Sequence, residues 1–201
     1  MGQRARAVLL VVASASASTF AAPSALPEAR VPHGAGLAQK KGQPVDAETD
    51  PPLLSTLDQV HTGEHVALDA QLPTLEQFSA LLADRVTGAQ HAVDERLLAL
   101  LRSLASKHPG GRIELVSGYR SPKLNEMLRK KGHHVSSHSQ HSLGQACDFR
   151  IFPGGEAEAL DPRVVEREVR ALGWDGGVGV YPTKDDWFVH ADVGRTRHWV
   201  N

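Results

Sequence analysis

The chain has 201 residues, 41% of them apolar, and a formal net charge of -1, a profile that fits one globular domain. Near-neutral charge without a basic run gives no footing for nucleic acid, and a single cysteine excludes a disulfide framework within the chain. Beyond the N-terminus no apolar run approaches the about 20 residues that a membrane-spanning helix needs.

In chain order, Arg4 and Arg6 precede an apolar, small-residue run from Ala7 to Ala17, and Ser18-Thr-Phe-Ala-Ala22 follows with small residues for cleavage. This is the layout of a secretory signal peptide, so residues 1–22 are expected to be removed and are set aside from the fold. The run is too short and serine-rich for a membrane anchor, and neither a twin arginine nor a cysteine marks another export route or a lipid anchor. Residues 23–52 mix Pro, Gly, Ala and charge without an apolar period and read as a flexible linker. The folded domain is expected over residues 53–201, enough for one core.

Within it, Leu53 to Leu68 is expected to hold one or two strands around Thr62-Gly-Glu. Thr74 reads as an N-cap, followed at helical spacing by Leu75, Phe78, Leu81 and Leu82. Val93-Asp94-Glu95 opens a helix whose Leu97, Leu98, Leu100, Leu101 and Leu104 make a broad apolar face, and His108-Pro-Gly-Gly111 ends it. Arg112 to Ser117 alternates as a strand with Ile113 and Leu115 on one face, and Ser121-Pro122 starts a helix through Lys130. After a loop from Gly132 to His138, Gln145 to Ile151 reads as a strand. Asp161-Pro162 starts a helix carrying Val164, Val165, Val169 and Leu172, ended by Gly173, and Gly176 to Val180 and Phe188 to Val193 read as paired strands. Helices come early and strands late, which implies an α+β fold with a mainly antiparallel central sheet and flanking helices.

The chemistry concentrates between Ser139 and Asp148. Strand parity puts Ala146, Asp148 and Arg150 on one face and Cys147, Phe149 and Ile151 on the other, so Asp148 points away from an apolar row. The same rule puts His190 and Asp192 on one face of the last strand. If the two strands pair, His141, Asp148 and His190 can converge on one ion and leave a fourth position open, the pattern of a catalytic zinc. The bland alternatives are a satisfied core histidine and an aspartate paired with Arg150. Cys147 should face the core as a small apolar residue, not act as a nucleophile. His133, His134 and His138 read as members of a solvated loop, and Trp174, Trp187 and Trp199 as groove wall or buried packing.

Three motifs carry a resemblance. Ser117-Gly-Tyr-Arg-Ser121 followed by Asn125, then Ser139-x-His141-x-x-Gly144-x-Ala146-x-Asp148, then Phe188-Val-His190-x-Asp192-Val-Gly194 resemble those of the zinc D,D-peptidases of the bacterial cell wall. That group contains D-Ala-D-Ala carboxypeptidases and dipeptidases, and hedgehog signalling domains resemble it. The likeness is closer to the murein endopeptidase K subgroup and spans about Leu53 to Trp199. It implies a fold of the hedgehog/D-Ala-D-Ala peptidase type, one zinc per chain on His141, Asp148 and His190, and water in the fourth position. It implies Arg120 as a donor to the carbonyl oxygen that gains charge, against the alternative of a surface salt bridge. Asn125 is expected to hold the loop shape, and Tyr119 and Trp187 to contact substrate. One departure stands out: the carboxypeptidase branch has its basic glutamate three residues before the last histidine, where this chain has Trp187. Asp185, Asp186, Asp192 and His138 are the candidates nearby; Asp192 shares the His190 face and is either the base or a partner of a ligand or of Arg150. The resemblance implies a periplasmic endopeptidase acting on peptidoglycan peptide stems, at a cross-bridge of the D-Ala-diaminopimelate or the diaminopimelate-diaminopimelate kind. A D,D-carboxypeptidase or dipeptidase, and a zinc-containing binding module without catalysis, are the alternatives; the sequence gives no oligomeric state.

Overall fold

In the computed structural model the described residues are 52–132, 136 and 138–201. The expected signal peptide, the expected linker up to residue 51, and His133 and His134 lie outside them. Among the described residues, alternation of apolar and polar side chains lays down seven strands: β1 (Ser55–Gln59), β2 (His65–Leu68), β3 (Gly111–Ser117), β4 (Ala146–Phe152), β5 (Gly177–Pro182), β6 (Trp187–Asp192) and β7 (Arg197–Val200). They form one sheet in the order β2-β1-β3-β4-β6-β5-β7.

Helices α1 (Leu75–Leu81), α2 (Glu95–Ala105), α3 (Pro122–Lys130) and α4 (Pro162–Ala171) connect the strands, and a 3-10 turn spans Gln140–Leu143. Their starts follow the expected capping chemistry. Thr74 and Gln77 exchange hydrogen bonds in a capping box, Asp94 caps α2, and Ser121 and Asp161 cap helices that carry proline in the first turn. No helix among the described residues is long and apolar enough to cross a membrane.

The α+β expectation holds, but the sheet is mixed. β1–β2, β3–β4, β4–β6 and β5–β6 pair antiparallel, whereas β1–β3 and β5–β7 are parallel. The first parallel pair follows from its connection: β2, α1 and α2 intervene, a crossover long enough to return the chain in the same direction. The second arises because β6 turns back along β5, so β7, running opposite to β6, docks on the free edge of β5. β7 is absent from the sequence reading; four residues alternating half-buried and exposed carry too little apolar signal.

One face of the sheet is apolar. Leu57, Ile113, Leu115, Phe149, Val178 and Val189 join Phe78, Leu97, Leu101, Leu104, Val165 and Val169 of α1, α2 and α4 in a single core cluster. By parity the opposite face carries Asp58, Glu114, Arg150, Asp148 and His190, which are register partners across β1, β3, β4 and β6. Burying large apolar side chains on one side is what leaves a polar row free on the other.

Candidate metal centre

β4 and β6 bring two chemical groups face to face. Asp148 lies directly across from His190 in the antiparallel ladder. Between them and the third group stands the 3-10 turn, which closes at Gly144 in the left-handed conformation with φ of 68° and seats His141 against the strand ends. The backbone N–H of Arg120 donates to the His141 carbonyl at 3.2 Å, so the first and second motifs are joined through the main chain.

The donor atoms converge. His190 Nδ1 lies 2.8 Å from Asp148 Oδ1, His141 Nε2 lies 3.2 Å from the same oxygen, and the two nitrogens are 3.1 Å apart. All three residues are buried. The outer nitrogen of each ring is already committed: His141 Nδ1 donates to the Gly118 carbonyl at 2.7 Å, and His190 Nε2 donates to Asp192 Oδ2 at 2.9 Å. With those protons placed outward and both rings neutral, two lone pairs and a carboxylate oxygen face one another with no donor between them. A cation resolves that repulsion. Zinc bonds of about 2.0–2.1 Å at tetrahedral angles set neighbouring donors about 3.3 Å apart, close to the spacing seen here. The residues therefore fit a divalent ion.

The electrostatics agree. Burial pushes the His141 imidazole down to about 4, which keeps it neutral and able to ligate. Burial alone raises the Asp148 carboxyl, but the neighbouring His141 and Arg120 and hydrogen bonds from both histidines outweigh it and hold it well below the usual carboxylate range. His190 is raised: burial disfavours its charge, yet hydrogen bonds to Asp148 and Asp192 prevail, and a proton there substitutes for the cation.

Arg120 Nη2 donates to Asp148 Oδ2 at 2.6 Å, and Arg120 Nε donates to Ser117 Oγ at 3.0 Å. A β-bulge between Leu115 and Ser117 turns Ser117 toward Asp148, which is how the strand end reaches the guanidinium. The proposed alternative partner of Asp148 is otherwise engaged, since Arg150 Nε donates to Glu114 Oε2 at 2.6 Å. Asn125 Nδ2 donates to the Ser136 carbonyl at 3.1 Å and ties α3 to the segment before the 3-10 turn.

Asp192 lies across the His190 ring from Asp148 and is 0% exposed. Its Oδ2 accepts from His190 and from Arg197 Nη2 at 2.8 Å, and its Oδ1 accepts from the Gly194 N–H at 2.8 Å. Of the two roles expected for it, this geometry favours the partner of a ligand over the base, because its oxygens are occupied and turned from the open side. Among the sequence-adjacent carboxylates, Asp186 lines the same cavity as the three donors.

That cavity, of about 480 Å³, is walled by Arg85, Arg120, Tyr181, Phe188, Trp199 and the ligand cluster among others. The expected substrate contacts, Tyr119 and Trp187, do not line it. Tyr119 stacks on His91 with ring centroids 4.9 Å apart, and Trp187 is one residue out of phase with Phe188 and His190. The aromatic wall is instead Tyr181 stacked on Phe188 at 4.4 Å, with Trp199 Nε1 donating to the Tyr181 hydroxyl at 3.2 Å. Parity with His190 would have found Phe188; Tyr181 and Trp199 needed the β5–β7 pairing. Cys147 faces the core fully buried, and burial pushes its thiol well above the ordinary range.

Comparison with known proteins bears on this arrangement. The chain matches the family model described as Peptidoglycan L,D-endopeptidase MepK over residues 49–199. It is 33% identical over 162 residues to the peptidoglycan L,D-endopeptidase MepK of Escherichia coli (strain K12), which covers 75% of this chain and 82% of that protein. It is 30% identical over 159 residues to the probable peptidoglycan L,D-endopeptidase MepK of Haemophilus influenzae, covering 75% of this chain and 81% of that one. No solved structure matches it.

Proposed function

Because the chain belongs to the peptidoglycan L,D-endopeptidase MepK family, we propose that it is a zinc-dependent endopeptidase hydrolysing the peptide cross-links of peptidoglycan. The observation that carries this reading is the convergence of three possible ligand atoms, His141 Nε2, Asp148 Oδ1 and His190 Nδ1, on the lining of an open cavity. These three would hold one zinc ion. When bound, it supplies Lewis acidity toward a peptide carbonyl and toward water.

The chain's own residues do the rest. Gly118 and Asp192 fix the two imidazoles in the tautomers that ligate. Arg120, braced by Ser117 and Asp148, has N–H donors left to present to an oxygen that gains charge. The aromatic wall excludes water from one side of the bound peptide. Asp186, which lines the same cavity, is the carboxylate assigned in this reading to take a proton from the attacking water. In this reading residues 1–22 export the chain to the periplasm, where its substrate lies, residues 23–52 link it, and residues 53–201 form the peptidase domain.

The test is incubation of the purified mature protein with muropeptide dimers. Wild type should convert dimers to monomers, and His141→Ala or a chelator should abolish the conversion. Dimers that survive a fully zinc-loaded protein would defeat the reading and favour a binding module. Release of terminal D-Ala from monomers would move it to a carboxypeptidase.

A further inference from the structure

The cavity that holds the ligand cluster is lined by two arginines, and they differ in what they are bound to. Arg120 is neutralised by Asp148 at 2.6 Å. Arg85 forms no ion pair among the described residues. Its polar neighbour is the His61 ring, with Nη1 at 3.0 Å from Nε2. That nitrogen also lies 2.9 Å from the Val116 carbonyl. A carbonyl only accepts, so an Nε2–H bonded to Val116 presents no lone pair to Arg85, and an Nε2 that accepts from Arg85 leaves Val116 unbonded. Either tautomer leaves the guanidinium with at most one neutral partner and most of its five donors unused.

The arginine is nevertheless held where it is useful. Asp84, 1% exposed, accepts from the N–H groups of Val86 at 2.8 Å, Thr87 at 2.9 Å and Ser121 at 2.7 Å. The Tyr119 N–H donates to the Leu82 carbonyl at 2.7 Å. The chain just before Arg85 is thus bonded, through the Leu82 carbonyl and the Asp84 carboxylate, to the short segment that carries Arg120, and the same carboxylate holds the turn that follows Arg85. An exposed guanidinium on an anchored loop, facing a cavity and lacking a carboxylate of its own, is suited to receive one from outside.

The substrate class supplies such a group. Diaminopimelate has two amines and two carboxyls; once built into a stem and cross-linked through its second amine, it retains one free carboxyl beside that linkage. We propose that Arg85 is the anion subsite of this cavity and takes the free carboxylate of the cross-linked diaminopimelate. The inference rests on the endopeptidase reading for the identity of the ligand, and it makes Arg85 a determinant of specificity toward carboxylate over carboxamide.

The test compares two uncleavable dimers, each with a methylene-amine in place of the cross-linking amide, one bearing the free diaminopimelate carboxylate and one its carboxamide. Binding to the zinc-loaded protein is measured by calorimetry for wild type and Arg85→Gln, with zinc content as the check that the site is intact. Wild type should bind the carboxylate form about fivefold tighter, and the variant should bind both forms alike. With cleavable dimers the same difference should appear in KM and not in kcat. Equal binding of both forms by wild type, or a preference that survives in Arg85→Gln, overturns the subsite. A preference in binding without cleavage of any dimer supports the subsite while defeating the hydrolase, so the two failures are told apart.

Discussion

Each histidine of the centre has one nitrogen free because the other is spent, and Asp192 does the spending for His190. Replacing Asp192 by Asn keeps the shape and an acceptor oxygen but removes the charge that Arg197 and the imidazole share. Zinc affinity, read by competition with a chromophoric chelator, should fall about tenfold or more while the fold survives. Cleavage lost with zinc affinity unchanged would restore Asp192 as the base. The proton on His190 gives a second expectation. Its folded pKa is raised above the ordinary value, so in the ion-free protein the associated stability is present at low pH and lost as pH rises through that raised value. Zinc must displace this proton. Affinity should therefore climb by about tenfold per pH unit below the raised pKa and level off above it, with close to one proton released per ion in calorimetry across buffers of different ionisation enthalpy. His141, already down at about 4, should release none in that window.

Two strand positions show how an element makes room for the site. Gly177 and Gly179 on β5 face Asp192 and His190 across the ladder. A Cβ at Gly177 would collide with the Asp192 carboxylate, and one at Gly179 with the Trp199 indole. Gly177→Ala should thus mimic Asp192→Asn in zinc affinity, whereas Gly179→Ala should disturb the aromatic wall and raise KM with zinc retained; muropeptide kinetics beside metal analysis separates them. The loop after α1 has its own linchpin in Asp84, held at about 2: burial opposes its charge, but hydrogen bonds from Ser121, Thr87 and Val86 prevail. A depressed carboxyl stabilises the fold above its unfolded pKa and gives that up as pH falls toward the folded one. Asp84→Asn should cost on the order of 2 kcal/mol at neutral pH and flatten the acid limb of a urea-unfolding series between about pH 4 and 2. The elements themselves were largely legible: caps at Thr74, Asp94, Ser121 and Asp161 and the alternation of β3, β4 and β6 are local signals. The glycine run was legible as a strand but not as clearance for Asp192, since a close approach across a sheet has no local trace.

For the molecule as a whole, the sheet sorts function from packing by face. Parity alone put Asp148 opposite Cys147 and gathered His190 with Asp192, because a period of two survives any fold the strand enters. It does not tell which edge of a ring points where, so the position of Asp192 behind His190 had to come from three dimensions. Nor does it tell which tryptophan walls the cavity: Trp199 arrives there through the parallel docking of β7, a pairing set by the direction of β6 and not by the four residues of β7. The same architecture bears on stability. The three donors come from the 3-10 turn, β4 and β6, and β5 is joined to them through β6, so an ion at this point cross-links the turn to the strands of the sheet. Removing it leaves facing acceptors, relieved in part by a proton on His190. Binding that favours the folded state adds RT ln(1 + [L]/Kd), about 2.7 kcal/mol when free zinc stands at a hundred times Kd. At about 2–4 °C per kcal/mol for a domain of this size, zinc-loaded protein should melt about 5–10 °C above chelated protein in scanning calorimetry at neutral pH. The gap should narrow as pH falls, because the proton then takes the ion's place, and it should vanish in His141→Ala. Equal melting temperatures with and without zinc at saturation would mean that these three side chains bind no ion in the folded protein.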